Sequence, residues 1–363
     1  MTTIHPLVAE AVGENLDALI ILDLRGYHLG RILYRGARAL AGEPLTLRAA
    51  RAILSGTELG DSVLLVTGFP FIPYGKPELD GLVGTAVLAR ALAIAKGLHP
   101  VVVTDAATAP AMRELMTVAG LNLYEDAEQM RSYPHSGAVL TFTQDADRAE
   151  GDAHAVLYAF SPKALVTIEK PGANDRGVYH QGTGADVSHL VAKTDALLTH
   201  ALARGIVTVA IGDLGNELGM GSLAKVMEAE TSFGQQFVAA PTGSIAAVGA
   251  AEHVIAAAVS DWAAYALSAM IAFLTGNNLV LHTASLQRQL LWTAVRCGVL
   301  DGSGRGEPAV DGVGEEYTAR LVELMRDIIE IMGEHGQRYE KPIDNLAKLR
   351  ARTTEAAKGA SHA

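Results

Sequence analysis

Cysteine is almost absent from this chain: Cys297 is the single one among 363 residues. An intramolecular disulfide is excluded, as is a zinc cage of several thiolates, and a reducing cytosol is the expected compartment. Positive charge is also scarce. The 29 Lys and Arg residues against 40 Asp and Glu leave a net charge of -11, and the basic residues form no long block. Neither a nucleic-acid backbone nor an anionic membrane surface is therefore an expected partner. Residues 1–30 contain Arg25 as their only Arg or Lys, unlike a secretory signal or an Arg-rich transit peptide. The most membrane-like stretch, Ile245 to Leu274, is divided by Glu252, His253 and Asp261 into pieces shorter than the roughly twenty apolar residues of a span. It reads as a buried strand and helix. No Gly-x-Ser-x-Gly elbow or Walker-type Gly-Lys-Ser/Thr occurs, so serine-hydrolase and P-loop readings fall away, and the histidines are scattered without a His-x-x-x-His spacing.

What is abundant points to a large core. Hydrophobic residues make up 49% of the chain and glycine contributes 37 positions, which suits an α/β protein of one large domain or two smaller ones. An N-terminal helical region is expected to about residue 58. Short β-branched runs follow at Ser62 to Thr67 and Pro100 to Thr104, with Gly84 to Lys96 helical between them. A strand, helix, strand unit of the parallel type results. Ala109 to Ala119 and Ser188 to Arg204 read as helices; Ala153 to Phe160, Ala164 to Ile168 and Gly205 to Ile211 read as strands. The alternation predicts a doubly wound, mostly parallel sheet with helices on both faces. Leu300 to Gly314 reads as a glycine-rich loop, followed by an amphipathic helix from Glu315 to about Met332. The expected organisation is a helical region over residues 1–58, an α/β domain over 59–335 and a polar tail over 336–363, without a linker between separate folds.

Carboxylates gather where these strands end. Glu78 and Asp80 follow Ser62 to Thr67; Glu169 follows Ala164 to Ile168 directly; Asp213, Asn216 and Glu217 lie among the glycines of Gly212 to Gly221. All strands of a parallel sheet point their carboxyl ends the same way, so these clusters share one edge, where open α/β sheets bind ligands. Buried carboxylates so close together demand a cation. A divalent metal, a substrate ammonium and an Arg or Lys partner each answer that demand. Hard oxygen donors favour Mn²⁺ or Mg²⁺ over zinc, and a metal site is expected. For Glu78 and Asp80 the alternative is helix-dipole compensation, worth about 0.3 to 1 kcal/mol. Asp261 reads most simply as a helix N-cap, and Asp301-Gly302 and Asp311-Gly312 as turns.

Four segments together resemble the D-glutamate cyclase family: Thr67-Gly68-Phe69 with Glu78-Leu79-Asp80-Gly81, Ile168 to Gly172, Gly212 to Gly221, and Val259 to Trp262 with Tyr265. Val310-Asp311-Gly312 is similar to a late motif of the same family. The resemblance spans about residues 60 to 330 and implies cyclisation of D-glutamate to 5-oxo-D-proline, or the reverse opening of the lactam. In such a reaction a bound cation would polarise the carboxyl group, while a positioned carboxylate moves the proton. The residues marked on this basis are Glu169, Asp213 and Glu217 as catalytic. Thr67, Gly68, Lys170, Asn216 and Asp261 are marked as substrate-binding, and Glu78, Asp80, Glu169, Asp213 and Glu217 as metal ligands. Lys170 would hold a substrate carboxylate, unless it is a surface charge. Two departures bear on specificity: this chain has Leu214 where the family pattern has Gly, and Asp261 where it has Asn. An added carboxylate would favour a basic amino acid or its lactam, such as that of ornithine. Metal-dependent phosphatase chemistry and amino-acid binding without turnover are the rival readings, and a homo-oligomer is the base-rate expectation.

Overall fold

The computed structural model describes residues 4–231 and 241–333. The predicted tail 336–363 lies outside the described residues. Three helices open the chain, α1 (Pro6–Ile20), α2 (Leu29–Ala41) and α3 (Leu45–Gly56). Asp17 of α1 is buried and accepts hydrogen bonds from Leu45 N at 2.7 Å and Thr46 Oγ1 at 2.6 Å, so one helix supplies the N-terminal cap of another. Apolar faces of all three helices contribute to the same hydrophobic core as the sheet.

Seven parallel strands form that sheet: β1 (Ser62–Thr67), β4 (His99–Thr104), β5 (Asn122–Leu123), β6 (Ser136–Thr141), β7 (Ala164–Ile168), β8 (Val207–Gly212) and β9 (His253–Ala256), in the order β5-β6-β4-β1-β7-β8-β9. The pairs β2 (Pro70–Phe71) with β3 (Lys76–Pro77) and β10 (Ala309–Val310) with β11 (Val313–Gly314) make two small hairpins. Strands β1 and β7 are buried along their whole length, which is why they read as unbroken apolar runs rather than alternating ones. The chain winds outward from β1 through β4, then returns to the other side of β1 at β7. That reversal puts the topological switch point between β1 and β7, where a doubly wound sheet opens a crevice at its carboxyl edge.

Right-handed crossovers fix the layers. Helix α4 (Leu82–Lys96) connects β1 to β4, whereas α8 (Asp195–Ala203) connects β7 to β8 in the opposite direction, so the two helices cover opposite faces. Helix α10 (Ser260–Thr275) packs against α4 and α3, and α7 (Ala146–Phe160) packs against α8. The remaining helices include α5 (Ala109–Val118), α6 (Ala127–Arg131), α9 (Ala224–Glu230), α11 (Ala284–Arg296) and α12, which occupies residues 315–333. Among the described residues, no helix is long and apolar enough to cross a membrane.

Two expectations are corrected here. Ala153 to Phe160 is the second half of α7, not a strand: Asp145 caps the helix by accepting from Asp147 N, and Ala149, Ala153, Leu157 and Phe160 make one buried stripe at helical spacing. The helix expected from Ser188 begins only at Asp195, and residues 171–194 run irregularly through short bridges. β6 was not foreseen, because its Ser136-Gly137-Ala138 start carries little β-branched character.

Candidate functional site

At the switch point, β1 ends in Thr67-Gly68 and β7 in Glu169-Lys170. Gly68 has φ +111°, and a Cβ there would stand 2.7 Å from Thr104 Oγ1 and 2.8 Å from Asp105 Oδ2, so only glycine lets the three strand ends approach. Lys170 is wholly buried. Its Nζ donates to Asp105 Oδ2 at 2.5 Å and Gly68 O at 3.2 Å, tying the ends of β1, β4 and β7 together. Glu169 has φ +43°, a left-handed conformation that is costly without a Gly and that persists where surrounding structure enforces it. Its buried Oε2 accepts from Ser260 Oγ at 2.6 Å.

The turn after β8 folds around Glu217. Its two oxygens accept from the backbone N–H groups of Asp213 at 3.0 Å, Leu214 at 2.8 Å and Gly215 at 2.7 Å, so the side chain fixes the loop that carries Asp213. Asp213 in turn accepts from Arg25 Nη2 at 2.5 Å, while Arg25 Nη1 donates to Asp311 and Nη2 also to Ala258 O. The loop between α1 and α2 that presents Arg25 is shaped by Asp23, which accepts from Gly26 N at 2.7 Å and His28 N at 2.6 Å. Asp311 sits in the turn of the β10–β11 hairpin. Asp311 (φ +53°) and Gly312 (φ +78°) both have the left-handed backbone that an Asp-Gly hairpin turn uses, and buried Asp301 accepts from Gly312 N at 2.8 Å to hold it.

Helices α4 and α10 exchange carboxylates at their N-termini. Asp80, just before α4, accepts from Ser260 N at 3.0 Å and Asp261 N at 2.8 Å at the start of α10. Asp261 accepts from Gly84 N in the first turn of α4 at 2.6 Å and from Tyr265 Oη at 3.0 Å. Each carboxylate thus meets the positive end of the other helix.

Electrostatics bind these groups into one unit. Burial, then the charges of Asp213, Glu217 and Asp80, push the Glu169 carboxyl well above its ordinary range. Burial pushes Asp80 up as well, aided by Asp261 and Asp213. Glu78 rises through burial and through Asp311, Asp213 and Asp301. Burial and Asp213 raise Glu217 to about 7, against its backbone N–H bonds, and burial raises Asp261 to about 7. For Arg25, burial disfavours the charge, but Asp213 and Asp311 more than offset it and keep the guanidinium protonated. Oxygens of Asp80, Asp213 and Asp311 lie within 4.8 Å of one another, as do those of Glu169, Asp213 and Glu217. Asp213 is the corner common to both triads.

The predicted site residues Glu78, Asp80, Glu169, Asp213, Glu217 and Asp261 are thereby joined through shared charge or direct hydrogen bonds. Among the described residues, Thr67 Oγ1 is buried without a partner. Asn216 donates from Nδ2 to His180 O at 2.9 Å, and its buried Oδ1 has no partner among the described residues. Lys170, which the sequence allowed as a surface charge, is the reverse: an interior cation with a carboxylate partner. Sequence reading passed over Arg25, Asp105, His180 and Asp311. Asp105 was within reach of the strand-end argument, since it directly follows β4. Asp311 was read as a turn, which it is, and within a late family motif, but was given no role in the site. Arg25 and His180 carried no local signal. His180 is fully buried, and neither ring nitrogen has a partner among the described residues.

Acid is expected to stabilise the cation-free protein. An acid whose folded pKa lies above its unfolded one binds more protons when folded, so stability falls as pH rises from the unfolded to the folded value. For Glu217 that window runs from 4.5 to about 7, and for Asp261 from 3.8 to about 7. At 1.36 kcal/mol per pK unit, the loss for Glu217 alone is on the order of 3 kcal/mol. Thermal unfolding after exhaustive chelation should therefore show a Tm that drops between pH 5 and pH 7. A flat profile would contradict it.

The family described as D-glutamate cyclase-like, C-terminal, matches residues 16–326. The mitochondrial D-glutamate cyclase of Homo sapiens is 26% identical over 292 residues, which cover 78% of this chain and 41% of that protein. The chain therefore spans less than half the length of that relative. With a family match that extends from α1 to α12 and includes every carboxylate of the site, this chain belongs to the D-glutamate cyclase-like family.

Proposed function

We propose that this protein is an enzyme that interconverts an amino acid and its lactam, with D-glutamate and 5-oxo-D-proline as the first pair to test. The observation that carries the reading is Asp213 standing at the common corner of two largely buried carboxylate triads beside the switch point. The family relationship supports that reaction class.

In the cyclising direction the substrate ammonium first gives up one proton and the resulting amine attacks the side-chain carboxyl carbon: an N–C bond forms, a C–O bond breaks, and the two protons that the nitrogen loses in all end on the departing oxygen, which leaves as water. Groups that exchange protons near neutrality serve such a transfer best. Glu217, raised to about 7 by burial and Asp213, and Glu169, raised by burial and the surrounding carboxylates, are assigned that role. Burial lowers the pKa of His180, and its unpartnered ring nitrogens, with Asn216 Oδ1, offer the polar contacts a substrate would complete. Arg25 is the positive group that touches both Asp213 and Asp311 and keeps 19% side-chain exposure. We assign it, rather than interior Lys170, to the substrate carboxylate. Holding amine and carboxyl in a folded conformation adds the proximity contribution.

The donor set fits a hard divalent cation. As the alternative to carrying protons, Glu169, Asp213 and Glu217 would hold Mn²⁺ or Mg²⁺, since all three offer oxygen and lie within one coordination sphere's reach. When bound, such an ion supplies Lewis-acid polarisation of a carboxyl or lactam carbonyl oxygen. The alternative of a basic substrate rested on Asp261 as a spare negative charge; both of its oxygens are engaged, with Gly84 N and Tyr265 Oη, which favours the acidic substrate.

Purified protein incubated with D- and L-glutamate, ornithine and their lactams, with and without EDTA and added Mn²⁺, should interconvert one pair, followed by chiral chromatography and mass spectrometry. Glu169→Gln is expected to lower turnover by about 10²–10⁴-fold while the protein stays folded. Binding without conversion of any pair would sink the enzymatic reading, and full activity after chelation would remove the cation from it.

A further inference from the structure

Away from the carboxyl edge, three side chains of a different character meet on the outer surface of the α7–α8 layer. Glu150 and His154 are one helical turn apart on α7, and His200 faces them from α8. His200 Nε2 lies 2.5 Å from Glu150 Oε2, and the two imidazole rings are 4.1 Å apart, centroid to centroid. One ligand-capable atom from each of the three lies within 4.8 Å of the others. Glu150 and His154 are exposed, while His200 retains only 19% side-chain exposure.

We propose that Glu150, His154 and His200 form a second metal site, selective for a transition ion of the Zn²⁺ class and separate from the carboxylate site. Two imidazoles with one carboxylate suit Zn²⁺, Co²⁺ or Ni²⁺ and disfavour Mg²⁺ and Mn²⁺, which prefer all-oxygen sets. The i, i+4 spacing on α7 places two donors on one face, and α8 brings the third across the helix–helix contact. Binding would require the exposed Glu150 and His154 to turn about their own χ angles toward one ion, with solvent completing the sphere. Exposed Arg204 also bears on the site: its Nη2 donates to His154 Nδ1 at 3.0 Å. A metal-bound His154 cannot keep that contact, because whichever nitrogen it leaves free carries the proton. Arg204 therefore competes with the ion, by occupancy and by charge. Bound metal would pin α7 to α8 and stabilise the native state by an amount that grows with the logarithm of the free metal concentration above its Kd.

The test is equilibrium dialysis of the full chain against Zn²⁺ with Mg²⁺ in excess to fill hard-donor sites, paired with visible spectra of the Co²⁺ form. The native protein is expected to take up one equivalent of Zn²⁺ that both His154→Ala/His200→Ala and Glu150→Gln weaken or lose, with circular dichroism unchanged. Co²⁺ is expected to give the intense d–d bands of a low-coordinate nitrogen-containing site, and Arg204→Ala to tighten binding severalfold. Zinc uptake that is identical in the native and double-histidine proteins, or no uptake in the native chain, would overturn the proposal. So would Arg204→Ala leaving affinity unchanged. None of these readouts depends on the lactam reaction, so the site stands or falls apart from it.

Discussion

Lys170→Met is expected to destabilise the protein by about 3–5 kcal/mol, the usual consequence of breaking a buried ion pair from one side. Methionine matches the length of the stem and keeps its apolar contacts, so the loss isolates the ammonium. What it leaves behind is Asp105, 3% exposed, with Oδ1 still accepting from Ala192 N at 2.6 Å but Oδ2 stripped of its 2.5 Å partner. The carbonyl of Gly68 loses its donor too. Removing the other charge as well, in Lys170→Met/Asp105→Leu, should recover a substantial part of the deficit, since two apolar groups replace two charges that had to be desolvated. Urea unfolding measures both: the midpoint should fall sharply for the single variant and less for the double, with the slope unchanged. A single variant as stable as the native protein would mean that the pair does not hold the ends of β1, β4 and β7 together.

That lysine also illustrates what a sequence conceals. The central strands of the sheet were legible because a buried parallel strand is apolar on both faces, and Ser62–Thr67 and Ala164–Ile168 have that character. Once parallel order was inferred, the carboxylates after β1, β7 and β8 had to share an edge, and Asp213 does lie beside both Glu169 and Asp80. The need for a cation was legible as well. Which cation was not, because Arg25 meets Asp213 across 188 positions and Asp311 across 286, and no local pattern encodes so remote a meeting. The misreading of Ala153 to Phe160 has a simpler origin. Its apolar residues were taken without the polar turn and the Asp145 cap that precede them, and a short apolar run by itself does not distinguish strand from helix. Asp261 shows a subtler limit: the sequence suggested a cap, but not that the capped helix is α4, far away in the chain.

Asp213→Asn is expected to lower turnover by about 10²–10³-fold, the scale of losing one preorganised charged contact at a reacting centre. Asparagine preserves the shape of the side chain, and Glu217 can still hold the turn through the N–H groups of residues 213, 214 and 215, so the effect should fall on kcat rather than on folding. The informative readout is the pH profile. The charge of Asp213 contributes to the raised carboxyls of Glu78, Asp80, Glu169, Glu217 and Asp311. Removing it must therefore lower all of them, and the limb of the residual rate that reports the essential carboxyl should move toward acid. The stability lost by the native protein between 4.5 and about 7 should shrink for the same reason. A residue that only positioned the loop would lower activity without shifting either curve. If Asp213→Asn leaves the pH limb where it is, the carboxylates do not act as one coupled unit, and neither proton transfer through Glu169 and Glu217 nor a cation held between them can be built on Asp213.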